Sequence, residues 1–180
     1  MNLNSKTREI VLAGLFIAIG IVLPSLFHLT GISGKVFLPM HIPALLAGFF
    51  VSSPIAFIIG FLLPYLNSMV TGMPPLFPIA LIMSFEIGLY GLSVSVFSRR
   101  MKINTIVCLI LAMIVGRIGG GLVAYILSVL FGVKIKALMF IKGSILTGLP
   151  GIIIQLIFIP IIVLALNKYS NREITEKNTL

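Results

Sequence analysis

An all-α membrane protein with six transmembrane helices and both termini cytoplasmic is the fold that three features of this sequence predict. Hydrophobic residues make up 59% of the 180 positions and charged residues only 9%, against roughly a quarter charged in a soluble domain. The mean hydropathy is +1.21. The apolar residues also fall into six runs, parted by short polar, Gly- or Pro-marked connections, and a helix needs about 20 such residues to cross a bilayer. Residues 1–180 therefore read as a single six-helix transmembrane domain, with a cytoplasmic tail over about 168–180.

The first run extends from Thr7 to Leu29 and contains Pro24 near its outer end. It exceeds the ~7–15 apolar residues of a signal peptide and no small-residue cleavage site follows, so it reads as a first span. A polar connection from Thr30 to Lys35 leads to the second run, Phe37 to Ser52-Ser53-Pro54. At roughly fifteen residues this run is short for a bilayer, so its helix either tilts little or starts below the surface. The third run, Pro54 to Val70, holds Pro64 and ends at Thr71-Gly72-Met73-Pro74-Pro75, a strong breaker. The fourth covers Leu76 to Phe97 and stops at Ser98-Arg99-Arg100-Met101-Lys102. The fifth, Ile103 to Phe131, has a Gly-rich middle at Gly116, Gly119, Gly120 and Gly121. After Gly132-Val133-Lys134-Ile135-Lys136, the sixth covers Phe140 to Leu166, and a polar tail with Lys168, Arg172 and Lys177 follows.

Charge sets the orientation. Basic residues outnumber acidic ones thirteen to four. With the termini inside, Lys6, Arg8, Arg99, Arg100, Lys102, Lys168, Arg172 and Lys177 are cytoplasmic, whereas Lys35, Lys134, Lys136 and Lys142 are outside. That asymmetry follows the positive-inside rule and accounts for the basic balance without nucleic acid as a partner. Cys108, the lone cysteine, sits in an apolar run and reads as a small buried hydrophobe rather than a disulfide or metal ligand. There is no Walker motif and no nucleotide-binding loop, so any ATP-derived energy has to come from a partner, and no internal repeat, which argues against an inverted-repeat secondary transporter.

Glu86 and Arg117 are the ionisable residues deep inside the apolar runs. A charge at mid-membrane costs at least ~2.5–3.5 kcal/mol on insertion scales, so such a residue normally faces a protein interior or polar pocket. Glu86 lies about eleven residues into the fourth run, roughly 16 Å below its outer end at 1.5 Å per residue. Tyr90 is one turn further on the same face. Arg117 falls near the middle of the antiparallel fifth run, so depth counting lets the two charges meet. They make either a structural ion pair or the polar lining of a pocket, in which Arg117 offers a forked donor suited to carboxylate or phosphate. His41 is either an interfacial ring or a ligand donor, and it has no neighbouring metal-type ligand. Asn67, near Tyr65 and Ser68, and Gln155 add amides in the third and sixth runs. Lys142 either joins them or snorkels to the outer surface. No nucleophile–base pair or carboxylate dyad emerges, so the residues do not suggest an enzyme. Gly14 and Ala18, four apart, form a small face for helix packing, either within the bundle or onto another subunit. Gly116 and Gly120 repeat that spacing beside Arg117, where tight internal packing is expected.

The Gly14/Ala18 face, the run Phe37-Leu38-Pro39-Met40-His41-Ile42-Pro43-Ala44-Leu45-Leu46-Ala47-Gly48, the turn Thr71-Gly72-Met73-Pro74-Pro75-Leu76-Phe77-Pro78 and the segment Met83-Ser84-Phe85-Glu86-Ile87-Gly88-Leu89-Tyr90-Gly91 together resemble the substrate-binding S components of energy-coupling factor (ECF) vitamin transporters. The resemblance spans essentially the whole chain. It implies a subunit in the cell membrane that captures a vitamin or vitamin precursor from outside, in the outer halves of its later helices. The loop between helices one and two, residues 30–37 here, would close over the ligand. It also implies partners: a membrane coupling protein and two ATPase subunits, with release by toppling in the bilayer. In many members an Ala-xxx-Ala face on the first helix meets the coupling protein, and Gly14 takes its first position here. Within the group the chain looks most like members assigned to pantothenate or to a cobalamin-pathway precursor such as dimethylbenzimidazole or its riboside. Arg117 favours the anion pantothenate. Should Glu86 neutralise Arg117, a neutral heterocycle becomes as good a candidate. The substrate-binding set expected from residues and resemblance together is His41, Asn67, Glu86, Tyr90, Arg117, Lys142 and Gln155, with no cofactor and no metal. Two other classes stay open: a proton-coupled secondary transporter working through Glu86, and a structural membrane protein in which Glu86 and Arg117 merely pair.

Overall fold

The computed structural model of the chain describes residues 5–31 and 34–177. Ile32 and Ser33 of the expected lid and residues 178–180 of the expected tail lie outside the described residues, as do the side chains of Lys35, Arg172 and Lys177. The described residues are helical with short connections and contain no strand. Helix α1 covers Ser5–Leu29, α2 Gly34–Phe37, α3 His41–Phe50 and α4 Ser53–Thr71. Helix α5, Leu81–Ser95, is extended by single π-type turns at Leu76–Ala80 and Val96–Arg100. Helices α6, Thr105–Phe131, and α7, Ala137–Lys177, complete the order.

Among the described residues five helices are long and apolar enough to cross a membrane: α1, α4, α5 with its flanking turns, α6 and α7. The second expected span departs from this pattern. It is broken into α2 and the ten-residue α3, and α3 at 1.5 Å per residue reaches only about 15 Å. The break has a local cause. Leu38 adopts a left-handed backbone, φ 49°, which few side-chain-bearing residues tolerate. Its N–H donates to the Gly34 carbonyl at 2.9 Å, and its own carbonyl accepts from the His41 N–H at 3.1 Å. At the other end Val51 is extended and Pro54 starts the next helix. Irregular backbone of this kind survives at membrane depth when protein surrounds it, and α3 is buried from His41 through Gly48 except Ile42.

The ends of the long helices follow local chemistry. Ser52 sits at the N-cap of α4, and Asn104 caps α6 by accepting the Ile106 N–H at 2.9 Å. Gly72 and Gly132 close α4 and α6 in the left-handed region, at φ 74° and 64°, the conformation glycine adopts most easily. Phe77 is extended (φ −128°, ψ 136°), so the continuous fourth helix starts only after it. The sixth expected run continues as helix into the region read as a polar tail. No Gly or Pro follows Pro160 before Lys177, so nothing in that stretch stops the helix.

Helix α5 is the centre of the bundle. In its most apolar 18-residue stretch 61% of residues are buried, against 17% in that of α1. It packs on α3, α4 and α6, while α1 leans on α3 and α4 and α7 on α6 and α2. The core between them is built from small and branched residues, including Ala44, Leu45, Ala47, Ile59, Leu63, Ile87, Val94 and Ala112. Helices α4 and α5 approach at backbone distance: a Cβ on Gly91 would lie against the Ala56 carbonyl, and one on Gly60 against that of Ile87. Such contacts replace the hydrophobic drive that is missing between helices in lipid. The outward faces are apolar, as at Val11, Leu15, Val22, Ile114, Ile118, Ile153 and Ile157, so the bundle presents hydrocarbon all round.

Candidate functional site

His41, Glu86, Tyr90 and Arg117 come together at mid-bundle, carried by α3, α5 and α6. Glu86 and Tyr90 stand one turn apart on α5, and the Tyr90 hydroxyl donates to Glu86 Oε1 at 3.0 Å. Arg117 Nη1 meets the same oxygen at 2.6 Å. His41 Nε2 lies 3.8 Å from it, beyond hydrogen-bond length, and the His41 and Tyr90 rings lie with centroids 5.5 Å apart and planes tilted by 50°. The four are all buried, Glu86 to 1% exposure and Arg117 to 7%. Two glycines of α6 make the approach possible. A Cβ on Gly116 would strike the Tyr90 ring, and one on Gly120 would sit 2.9 Å from Glu86 Oε2. The expected tight packing around Arg117 is therefore packing against its partner Glu86 and against Tyr90, which shares the same carboxylate oxygen.

The cluster does not satisfy all its own polar atoms. Arg117 Nη2 and His41 Nδ1 are buried without a hydrogen-bond partner in the protein. Arg117 Nη2 faces α7 where Gly148 leaves its side open, since a Cβ there would come 3.6 Å from the nitrogen. The same Cβ would collide with Leu38 at 2.8 Å, so the left-handed turn between α2 and α3 sits beside the arginine. Gln155 fixes that turn by donating from Nε2 to the Leu38 carbonyl at 3.2 Å. One turn before it, Gly151 lets the α2 backbone against α7: a Cβ there would meet the Phe37 carbonyl oxygen at 2.6 Å. Chemically the arrangement is a set of hydrogen-bonding groups around one neutralised ion pair. Among the described residues no three His, Cys, Asp or Glu side chains converge that could hold a metal ion.

The other expected site residues divide. Gln155 is buried, but its amide serves the Leu38 backbone. Asn67 is also buried and ties helices together, donating to the Gly20 carbonyl of α1 at 2.8 Å and to the Leu63 carbonyl at 2.9 Å. It stands apart from the cluster, with its own Oδ1 unpartnered. Lys142 is exposed on α7, the snorkelling arrangement rather than the lining one. Gly14 and Ala18 are exposed on α1, and a Cβ at Gly14 would meet nothing within 4 Å. Neither is buried against the described bundle. Two features escape a reading of the sequence. Gly148 and Gly151 shape the wall beside Arg117, and their spacing of three on one helix face is the signal that marks them. Glu9 of α1 accepts from the Ser52 N–H and hydroxyl, each at 3.0 Å, and lies 4.0 Å from Arg99 Nη1. That clasp joins α1 to the α3–α4 corner and to the end of α5.

Among protein families, the model described as "ECF transporter, substrate-specific component" matches residues 8–163. No curated protein and no solved structure is similar enough to match.

Proposed function

The chain belongs to the family of ECF transporter substrate-specific components, and on that premise we propose that it captures a vitamin or vitamin precursor at the buried His41–Glu86–Tyr90–Arg117 cluster. A member of this family is a multi-pass membrane subunit for substrate binding, not an enzyme. The single observation that carries the siting is the pair of unpartnered nitrogens, Arg117 Nη2 and His41 Nδ1, buried beside a satisfied ion pair. A buried polar group without a partner costs about 1–3 kcal/mol, and a ligand that pairs with it recovers that cost. Gln155 acts one step back, by holding the Leu38 turn that borders the ligand. The segment around α2 serves as the lid, seated on Gly148 and Gly151. The substrate is pantothenate or a benzimidazole precursor of the cobalamin pathway.

The mode of action follows the family. The chain binds substrate by itself, and uptake requires a membrane coupling protein and two ATPase subunits in the cell membrane. Counting broken α2–α3 as one crossing puts both termini on one side, and the basic residues Arg99, Arg100 and Lys102 on that side support reading it as the cytoplasm. The exposed Gly14/Ala18 face is the docking surface for the coupling protein, because small residues allow close helix approach within lipid. The test is reconstitution in vesicles. The chain with its coupling module should import a radiolabelled vitamin only with internal ATP, and the chain alone should bind without importing. Import by the lone chain on a proton gradient would replace this reading with a secondary transporter working through Glu86.

A further inference from the structure

We propose that the cluster selects an uncharged ligand, an azole, lactam or amide that offers a hydrogen-bond acceptor to Arg117, over a carboxylate. The inference rests on reading the cluster as the substrate site and decides between ligand classes at it. Arg117 by itself would favour an anion. Here its charge is already met, because Nη1 contacts Glu86 Oε1 at 2.6 Å. The remaining free atom, Nη2, is a donor with no partner, so it calls for an acceptor but supplies no surplus positive charge. His41 adds none by geometry. Its Nε2 is 3.8 Å from the carboxylate, well beyond the ~2.7–2.9 Å of a charge-assisted bond, and Glu86 Oε1 is already shared by Arg117 and Tyr90. A neutral imidazole fits this spacing, and its Nδ1 then takes either a donor or an acceptor from the ligand. With Glu86 and Arg117 cancelling, a carboxylate would bring one uncompensated negative charge into a buried site, where desolvation strongly opposes it. An azole or amide brings an acceptor without that charge.

The experiment measures binding affinity of the purified full-length protein for matched pairs: nicotinamide against nicotinate, pantothenol against pantothenate, and dimethylbenzimidazole against a benzimidazole carboxylate. At least one uncharged member should bind, with its carboxylate counterpart about tenfold or more weaker, as expected for an uncompensated buried charge. Glu86→Gln should narrow or invert that ratio, because it leaves Arg117 without its counter-charge. A carboxylate that binds wild-type protein as tightly as its uncharged partner overturns the inference. Folded wild-type protein that binds no uncharged member overturns it too. If Glu86→Gln does not fold, the wild-type ratios decide alone. ATP-dependent uptake in the presence of the coupling module reports separately on the proposed function, so either can fail without the other.

Discussion

Arg117 is tolerable at mid-bundle because Glu86 is 2.6 Å away and Tyr90 shares the same carboxylate oxygen. Removing one member of a buried pair leaves an uncompensated charge, which costs ~3–5 kcal/mol, whereas replacing both with apolar groups is often close to neutral. Glu86→Leu and Arg117→Leu should each lower the melting temperature sharply in detergent, and the double variant should recover much of the loss. Additive losses in that cycle would show that the two charges do not depend on each other. That these two charges could meet was legible from depth counting, though not that they touch, and the shared face of Glu86 and Tyr90 was legible from their spacing of four. The roles of Asn67 and Gln155 were not. An amide in an apolar run announces only that it needs partners. Whether those partners are a ligand or a nearby carbonyl, here those of Gly20, Leu63 and Leu38, depends on which backbone groups the fold leaves open. Lys142 was ambiguous for a related reason, since its long stem reaches solvent from many depths.

The element that hydropathy describes least well is the second span. A window of apolar residues measures length, and it does not see that Leu38 turns left-handed or that Val51 is extended. The result is a short α3 buried in the bundle and an α2 turn clipped to α7. The clip is one hydrogen bond, Gln155 to the Leu38 carbonyl, and two glycine contacts. Gln155→Leu should therefore loosen residues 34–38 while the long helices stay formed. Faster hydrogen exchange confined to that segment, together with weaker ligand stabilisation, is the expected result. Unchanged exchange there would mean that the glycine contacts alone hold the turn. Helix α1 makes the opposite case. Its Gly14/Ala18 spacing was visible in the sequence, but the direction it faces was not, because the stretch from Ile10 to Pro24 is apolar on every side and does not fix its rotation. Asn67 bonding to Gly20 and Glu9 bonding to Ser52 supply that rotation and leave Gly14 and Ala18 outward. Gly14→Trp or Ala18→Trp should abolish coupled uptake and leave ligand affinity within about twofold, as surface changes away from the core cost little. Equal loss of binding and uptake would place this face in the substrate site's support instead.

Across the whole molecule, one face of each long helix is committed to its neighbours and the others are open to lipid, with α5 as the exception. That distribution gives a bundle in which, among the described residues, the buried acidic, basic and histidine side chains gather in one cluster beside the α2–α3 break, while α1 leaves the small residues Gly14 and Ala18 exposed. The two features suit a subunit that binds alone and moves substrate only with partners. The claim that the cluster is a ligand site is tested most directly by thermal stabilisation of the detergent-purified chain across the B vitamins and their precursors. A ligand at a hundred times its dissociation constant adds ~2.7 kcal/mol to stability. A clear rise in melting temperature is expected for one chemical class, lost in a folded His41→Ala variant. A flat response from well-folded protein across the panel, or a rise that His41→Ala leaves intact, would contradict that claim.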